Sequence, residues 1–315
     1  MQQKFEFLNQ LPKEMGVETA THLATPDLIR LSTTSTRYRT FFNPLLEQRK
    51  PLQNFLHHVV RGEHDKVKGF LQKDFHLIVQ RDQVTDCSNR TFHFISGFEY
   101  TLWALDKHMW TIMLDCIPQN KEGKKVFAQL LSQYNKVKTE GVTYKLKAKT
   151  VIEQHFAFKN TLIKALQIQV DSLNAPGAKN WKAINNQWQR GVGGAQRLLP
   201  MHIVAEYCSS EPFYPVPKFN SQPKSSNQFF NNDTNKVEDW FSVDSKLGIE
   251  FAMDKTYWVA MRLTLEEVEH GVSGGTRNLD AMKALYQART LDFSNLKLQL
   301  EAQADLNIHQ QVVPM

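Results

Sequence analysis

Apolar residues recur at steps of three and four between residues 24 and 42, in the stretch ATPDLIRLSTTSTRYRTFF. Leu28, Leu31, Tyr38 and Phe42 fall on one side of a helix, and arginines fall mainly on the other. Thr25 is a good N-cap residue, and the proline after it suits the first helical position. A weaker helical pattern precedes this stretch. Because two short helices bury little between themselves, we expect both to pack on another surface.

Helical spacing also recurs through most of the remaining chain. We predict helical hairpins over residues 56–71 and 98–113, and further helices over residues 121–138, 150–173, 179–189, 199–208, 240–253, 263–270 and 278–304. The segments NAPGAKN, RGVGGAQ and VSGGT interrupt this pattern and are expected to be loops. Residues 209–239, rich in Pro, Asn and Ser, are predicted to form a connector strapped over the chain's own core. The fold class that follows is mainly α.

Composition limits the class of protein. The chain has 315 residues, of which 41% are hydrophobic, enough for a sizeable core. No run of about 18 apolar residues is present, so no membrane span is expected. The three cysteines are far apart, which favours reduced thiols in a cytosolic compartment over a disulfide framework.

The net charge of +6 is concentrated in one segment. Residues 121–149 hold eight lysines and two glutamates, which equals the whole excess. Apolar residues at helical spacing occupy one side of residues 126–137, so we interpret most of these lysines as a solvated helix face. A phosphate or nucleic-acid binder is the alternative, and its affinity would fall steeply with salt. No zinc-finger, helix-turn-helix or RNP pattern supports nucleic acid as a partner.

One later helix carries side chains with possible chemistry. His202 and Glu206 are four residues apart in LLPMHIVAEYC, with Cys208 near the end of that helix and Arg197 before it. Two ligands at this spacing do not complete a zinc site, and a cysteine nucleophile needs a histidine base close in space. We therefore predict no catalytic residue, no metal and no cofactor, and keep an enzyme site within residues 180–262 as the alternative.

Residues 11 to 41 resemble an F-box, the helical motif that docks on the Skp1 adaptor of cullin-type ubiquitin ligases. The resemblance is carried by Leu11-Pro12-x-Glu14, Leu23, Asp27-Leu28-x-x-Leu31-Ser32 and Arg37-x-Arg39. It implies that Skp1 contacts Leu11, Pro12, Glu14, Leu28, Leu31 and Tyr38. Thr19 and Ala20 replace larger aliphatic residues of the family pattern, and Gly16 weakens the first helix by about 1 kcal/mol relative to Ala. An ordinary N-terminal helical hairpin is the alternative.

The next stretch, LHHVVRGEHDKVKGFL, is similar to an ankyrin repeat. Gly62 is then expected to adopt a left-handed turn between two antiparallel helices. Residues 84–91 resemble the repeat's turn, with Asn89 in place of glycine. Residues 98–113 follow the same pattern less closely, and Trp103 and Trp110 in this unit are predicted to be core residues.

An F-box, degenerate ankyrin-like units and a long helical remainder together resemble effectors that intravacuolar bacteria inject into host cells. We expect an F-box-like motif over residues 1–48, ankyrin-like hairpins over 49–120 and a helical C-terminal domain over 121–315. The function implied by the resemblance is a substrate-receptor adaptor, with Skp1 and an unidentified host target protein as partners. Its location would be the host cytoplasm after secretion from the bacterium.

Overall fold

Helices account for most of the chain that the structure, a computed structural model, describes: residues 13–224, 227–231, 235–255 and 272–305. The N-terminal helices are α1 (Lys13–Thr21), α2 (Thr25–Thr33) and α3 (Thr36–Val59). The middle of the chain forms α4 (His64–Leu71), a 3-10 turn (Phe75–Ile78), α5 (Gly97–Ala104), α6 (Lys107–Asp115) and α7 (Lys121–Glu140).

The second half begins with a π-helical segment (Lys159–Ile163) that leads into a helix. The helices that follow are α8 (Lys164–Asn174), α9 (Trp181–Asn186), α10 (Gly193–Gln196), α11 (Met201–Cys208) and α12 (Val272–Asp305). A second π-helical segment (Gln187–Val192) joins α9 to α10.

Two antiparallel sheets make the protein a mixed α and β structure, so the prediction of a mainly α fold is wrong. The larger sheet has the strand order β1 (Arg81–Thr85), β2 (Thr91–Ser96), β3 (Val142–Leu146) and β4 (Lys149–Glu153). The smaller sheet pairs β5 (Gln228–Asn231) with β6 (Lys236–Asp239). The helix predicted from residue 150 therefore begins only after a strand.

The turn predicted over residues 84–91 is present and joins β1 to β2. Asn89 has a φ of +63°, as expected for a residue in the place of glycine. The Oδ1 atom of Asp86 accepts hydrogen bonds from the backbone N–H groups of Ser88 and Arg90, each at 2.9 Å. These bonds fix the tight turn, and β1 and β2 extend from it with a bulge between Asp82 and Val84.

The first helical hairpin has the predicted turn. Gly62 has a φ of +66° between α3 and α4, which confirms the left-handed conformation. In the second hairpin, Leu105 takes the left-handed position, with a φ of +59°, between α5 and α6. Trp103 and Trp110 are buried, as predicted.

Several boundaries differ from the predicted ones. RGVGGAQ was expected to be a loop but is helical, because π-helical turns carry the chain directly into α10. VSGGT forms the first turn of α12 rather than a loop. Residues 240–253 contain turns instead of the predicted helix, whereas residues 263–270 lie outside the described part of the chain.

Close backbone packing explains one of the two adjacent glycines at residues 193 and 194. A Cβ atom added to Gly193 would lie 2.4 Å from the carbonyl oxygen of Phe251 and 2.9 Å from the Cα atom of Gly248. A Cβ atom on the adjacent Gly194 would meet nothing within 4 Å. The GVGG segment therefore allows a helix to touch a neighbouring loop.

The described residues form one large core and one small core. The large core includes residues from Leu52 to Leu300 and takes in the inner face of the larger sheet. Phe213 and Phe219 of the Pro-rich connector are buried in it, which confirms that this segment straps over the chain's own core. The small core lies within α1, α2 and the first half of α3.

Candidate functional site

The three N-terminal helices pack around a small core of their own. Its buried residues are Ala20, Leu28 and Phe42, one from each helix. Tyr38 and Phe41 surround Phe42, with ring centroids 5.9 Å and 4.8 Å from it. We call residues 13–48 the N-terminal module. Because its core is separate from the large one, the module has an outer surface available to a partner.

The residues predicted to contact Skp1 differ in how far they are buried and in whether the structure describes them. Leu11 and Pro12 lie outside the described residues, and Glu14 is in α1 with its side chain outside the described part. Leu31 and Tyr38 are half-buried at the edge of the module core.

Leu28 is fully buried within the module, so it stabilises the three helices and exposes no surface for a partner. Its assignment as a contact residue is corrected on this ground. The exposed apolar side chains of the module are instead Met15, which is 53% exposed, and Ile29, which is 48% exposed.

A groove of about 720 Å³ runs between α1 and α3. The apolar part of its lining is Val17 from α1 and Phe41, Pro44 and Leu45 from α3. The polar part consists of Thr21, Arg37, Thr40 and Gln48. Pro44 has no backbone N–H, so the carbonyl of Thr40 loses its usual helical donor beside the groove. A groove with an apolar lining and a mostly neutral polar border suits an apolar or amphipathic segment of another protein.

The module is joined to the rest of the chain by a continuous helix and by side-chain hydrogen bonds. Helix α3 continues without a break from the module into the first helical hairpin, so the predicted boundary at residue 48 lies inside one helix. Arg49 donates hydrogen bonds of 2.6 Å to the carbonyls of Thr21 and Leu23, which end α1 and its following turn. Thr25, predicted to cap α2, instead donates from Oγ1 to Asp82 Oδ2 of β1 at 2.7 Å.

The groove could be anticipated from the sequence only in part. Leu45 continues the helical spacing beyond residue 42, where the predicted apolar stripe ended. A proline removes a backbone donor from a helix interior, yet α3 accommodates both Pro44 and Pro51.

The possible enzyme residues on α11 are buried among structural partners. Nε2 of His202 donates to the carbonyl oxygen of Ala104 at 2.7 Å. Glu206 lies 3.7 Å from Arg289 of α12, and Lys255 donates to the backbone carbonyl of Glu206 at 2.5 Å. These contacts join α11 to its neighbours.

Burial also shifts the pKa values of these groups. It lowers the pKa of His202 to about 4 and raises the pKa of Cys208 to about 12, so the thiol is protonated near neutral pH. Burial raises the pKa of Glu206 to about 7, and Arg289 opposes that shift. Among the described residues, no three His, Cys, Asp or Glu side chains are grouped so that they could hold a metal ion.

The lysines of residues 121–149 lie on helix α7 and on the hairpin that β3 and β4 form. Lys121, Lys125 and Lys136 are exposed on α7, whose apolar side faces the core as predicted. Lys145 and Lys149 belong to β3 and β4, which were not predicted. This surface is distinct from the groove of the N-terminal module.

Comparison with known proteins identifies the family of this chain. It is 33% identical over 268 residues to the uncharacterized protein CBUA0006 of Coxiella burnetii, an alignment that covers 79% of this chain and 75% of the relative. The chain belongs to the CBUA0006 family. Residues 161–300 match the model of the CBUA0006 C-terminal domain, which spans π-helical residue 161 through most of α12.

No solved structure matches the chain. No described helix is both long and apolar enough to cross a membrane. Membership of the CBUA0006 family therefore does not by itself assign a function to this chain.

Proposed function

We propose that this member of the CBUA0006 family is an F-box-type adaptor. Its N-terminal module docks on Skp1 of a cullin-type ubiquitin ligase, and the remaining chain holds a target protein for ubiquitination. The observation that carries the proposal is the groove between α1 and α3, on a module whose core is separate from the large core. In the proposed complex, apolar Skp1 side chains enter this groove.

The rigid attachment of the module fits the adaptor role. An adaptor raises the effective concentration of a target lysine near a charged ubiquitin-conjugating enzyme, and this effect needs a fixed geometry between two binding surfaces. The unbroken α3 helix and the Arg49 hydrogen bonds provide that fixed geometry. No side chain of the adaptor itself takes part in the chemistry. The protein would act in the host cytoplasm after secretion from a bacterium.

Co-elution with Skp1 on a sizing column tests this proposal. We expect a complex with the wild-type chain and its loss in a Val17→Glu/Leu45→Glu variant, because a charge inside the groove would be buried without a partner. A Leu11→Ala/Pro12→Ala variant tests the preceding segment in the same way. Each variant must retain the cooperative melt of the wild type, since Leu45 also touches the module core.

The matched control changes charge far from the module. A Lys147→Glu/Lys149→Glu variant alters two exposed residues of the larger sheet's hairpin and should elute with Skp1 like the wild type. Failure of the wild-type chain to form a complex, or a complex that survives the groove variant, would contradict the proposal.

A further inference from the structure

The hairpin formed by β3 and β4 is basic at and next to its turn. Residues 142–152 contain no aspartate or glutamate. Lys145, Lys147 and Lys149 are exposed, and none of them pairs with an acidic side chain in the described part of the chain. Glu153 lies at the end of β4, and its Oε1 atom accepts hydrogen bonds from the hydroxyl of Tyr144 at 2.8 Å and from Nε1 of Trp103 at 3.0 Å. The turn end of the hairpin therefore carries three lysines without acidic partners among the described residues, with Lys145 and Lys149 on opposite faces.

The hairpin also leaves a strand edge open. In the order β1-β2-β3-β4, β4 is the last strand and pairs with β3 alone. No other described residue forms a backbone hydrogen bond with residues 149–153. An open edge presents unpaired N–H and C=O groups to which an extended chain can add as a further strand.

The outward side of the hairpin supplies side-chain contacts next to this edge. Ile152 of β4 is 66% exposed and is the cross-strand partner of Thr143. Lys145 is the partner of Thr150 on the same face. Alternate residues of a strand added beside β4 would therefore meet Ile152 and Thr150 in turn, with Lys145 one strand further away on β3.

The open strand edge and the lysines together favour one class of partner over three others. A second copy of β4 would bring lysine against lysine, and lysines on edge strands oppose that pairing. Single-stranded nucleic acid is held by exposed aromatic platforms, whereas the one aromatic ring of this hairpin, Tyr144, is buried. Anionic lipid headgroups would use the lysines but not the backbone edge. An acidic extended peptide uses both.

We propose that the β4 edge binds an acidic segment of another protein by strand addition. The backbone of the segment pairs with residues 149–153, and its carboxylates lie near Lys147 and Lys149 at the turn end, with Lys145 adding positive charge from β3. This site goes beyond the adaptor function and does not depend on Skp1 binding. In an adaptor it would be a surface for the target protein.

Fluorescence polarisation with defined probes tests this site on the full chain. The probe is an acetylated and amidated peptide of four Glu-Val repeats carrying a fluorophore, and the comparison probes are four Lys-Val repeats and a Glu-Val peptide N-methylated on alternate residues. We expect binding of the Glu-Val peptide alone, weakening by about tenfold or more between low salt and about 0.3 M salt. N-methylation keeps the charges but blocks edge pairing, so equal binding of the N-methylated probe would overturn strand addition.

Two charge-matched variants separate a local site from net charge. Lys145→Glu/Lys147→Glu/Lys149→Glu is expected to reduce the affinity for the Glu-Val peptide by about tenfold or more. Lys121→Glu/Lys125→Glu/Lys136→Glu changes the net charge equally on α7 and should change the affinity by less than about threefold. Equal losses in the two variants, or no binding by the wild type, would overturn the proposal.

Two further probes distinguish the other polyanions. A short duplex DNA and vesicles of phosphatidylserine and phosphatidylcholine are titrated under the same conditions. Weaker binding of both than of the peptide is expected. Tighter binding of either probe, abolished by the hairpin variant, would assign the surface to nucleic acid or to membrane instead and overturn the peptide site.

Discussion

Replacing Arg90 with methionine is expected to destabilise the fold strongly, because its guanidinium is buried at the junction of the larger sheet with the second half of the chain. Only 2% of its side chain is exposed, and Nη1 lies 3.0 Å from Asp86 Oδ2. The guanidinium carbon lies 5.2 Å from the ring centroid of Trp103 and 5.3 Å from that of Phe156. Nη2 donates to the carbonyl oxygen of Leu198, which precedes α11.

The magnitude follows from removing one partner of a buried ion pair, which costs about 3 to 5 kcal/mol because the other charge is left uncompensated. Methionine recovers apolar packing but not the contact with Leu198, so we expect a loss of about 4 kcal/mol for Arg90→Met. For a chain of this size that is a fall in melting temperature of about 8 to 16 °C. Urea denaturation followed by circular dichroism measures the change.

Two further variants test the reasoning behind this number. Adding Asp86→Asn to Arg90→Met removes the unpaired charge and retains the Oδ1 acceptor of the turn, so the double variant should regain about 1 kcal/mol or more. Arg30→Met breaks an exposed Arg–Asp pair of similar length, 3.1 Å, and should cost less than about 1 kcal/mol. The reasoning is refuted if Arg90→Met stays within about 1 kcal/mol of the wild type, or if Asp86→Asn adds to its loss.

Three other changes have defined outcomes. The pKa of His202 is lower in the folded chain, about 4, than its ordinary value of 6.5, so its contribution to stability is present above pH 6.5 and is lost as the pH falls towards 4. Urea denaturation should therefore give a difference in the free energy of unfolding between the wild type and His202→Gln that is about 2 kcal/mol smaller at pH 5 than at pH 7. A difference that does not change with pH would contradict this. Gly193→Ala should lose about 1 to 3 kcal/mol through backbone overlap, whereas the neighbouring Gly194→Ala should be neutral or stabilising; equal effects in calorimetry would refute the packing argument. Arg49→Met should loosen α1, seen as faster amide exchange over residues 13–23 with little change in α12, and unchanged exchange in α1 would speak against the role given to this arginine.

Long amphipathic segments could be predicted from the sequence because each presents one continuous apolar side. Helices α7 and α12 were expected from this spacing, and so were the special conformations of Gly62 and Asn89. One helix was expected over residues 24–42, which is wrong, because Ser35 caps a new helix and the chain forms α2 and α3 there. A proline normally ends a helix, and here tertiary packing keeps α3 intact across two of them.

The β3–β4 hairpin could not be recognised because its turn lacks the usual residues. A two-residue hairpin turn of this kind needs positive φ at both positions and favours Asn-Gly. Lys147 and Ala148 take these positions, with φ values of +47° and +63°. Alternating apolar residues in VTYKL carried the strand signal, but the surrounding lysines were interpreted as a helix face. Because this hairpin was not predicted, the open strand edge with its lysines was not predicted either.

The candidate site was predictable only in outline. The motif over residues 11–41 indicated a helical docking module, but spacing alone could not separate Leu28, which fills its interior, from side chains on its surface. That distinction depends on how three helices pack. The groove arises from the same packing, since Val17 and Leu45 come from different helices.

Amide hydrogen exchange of the full chain with and without Skp1 tests the adaptor proposal most directly. We predict that slower exchange on adding Skp1 is confined to the N-terminal module, strongest in α1 and in α3 up to residue 48, while the β3–β4 hairpin is unchanged. The Val17→Glu/Leu45→Glu variant should show no such protection. Unchanged exchange throughout the wild-type chain, or protection confined to residues outside the module, would contradict the account.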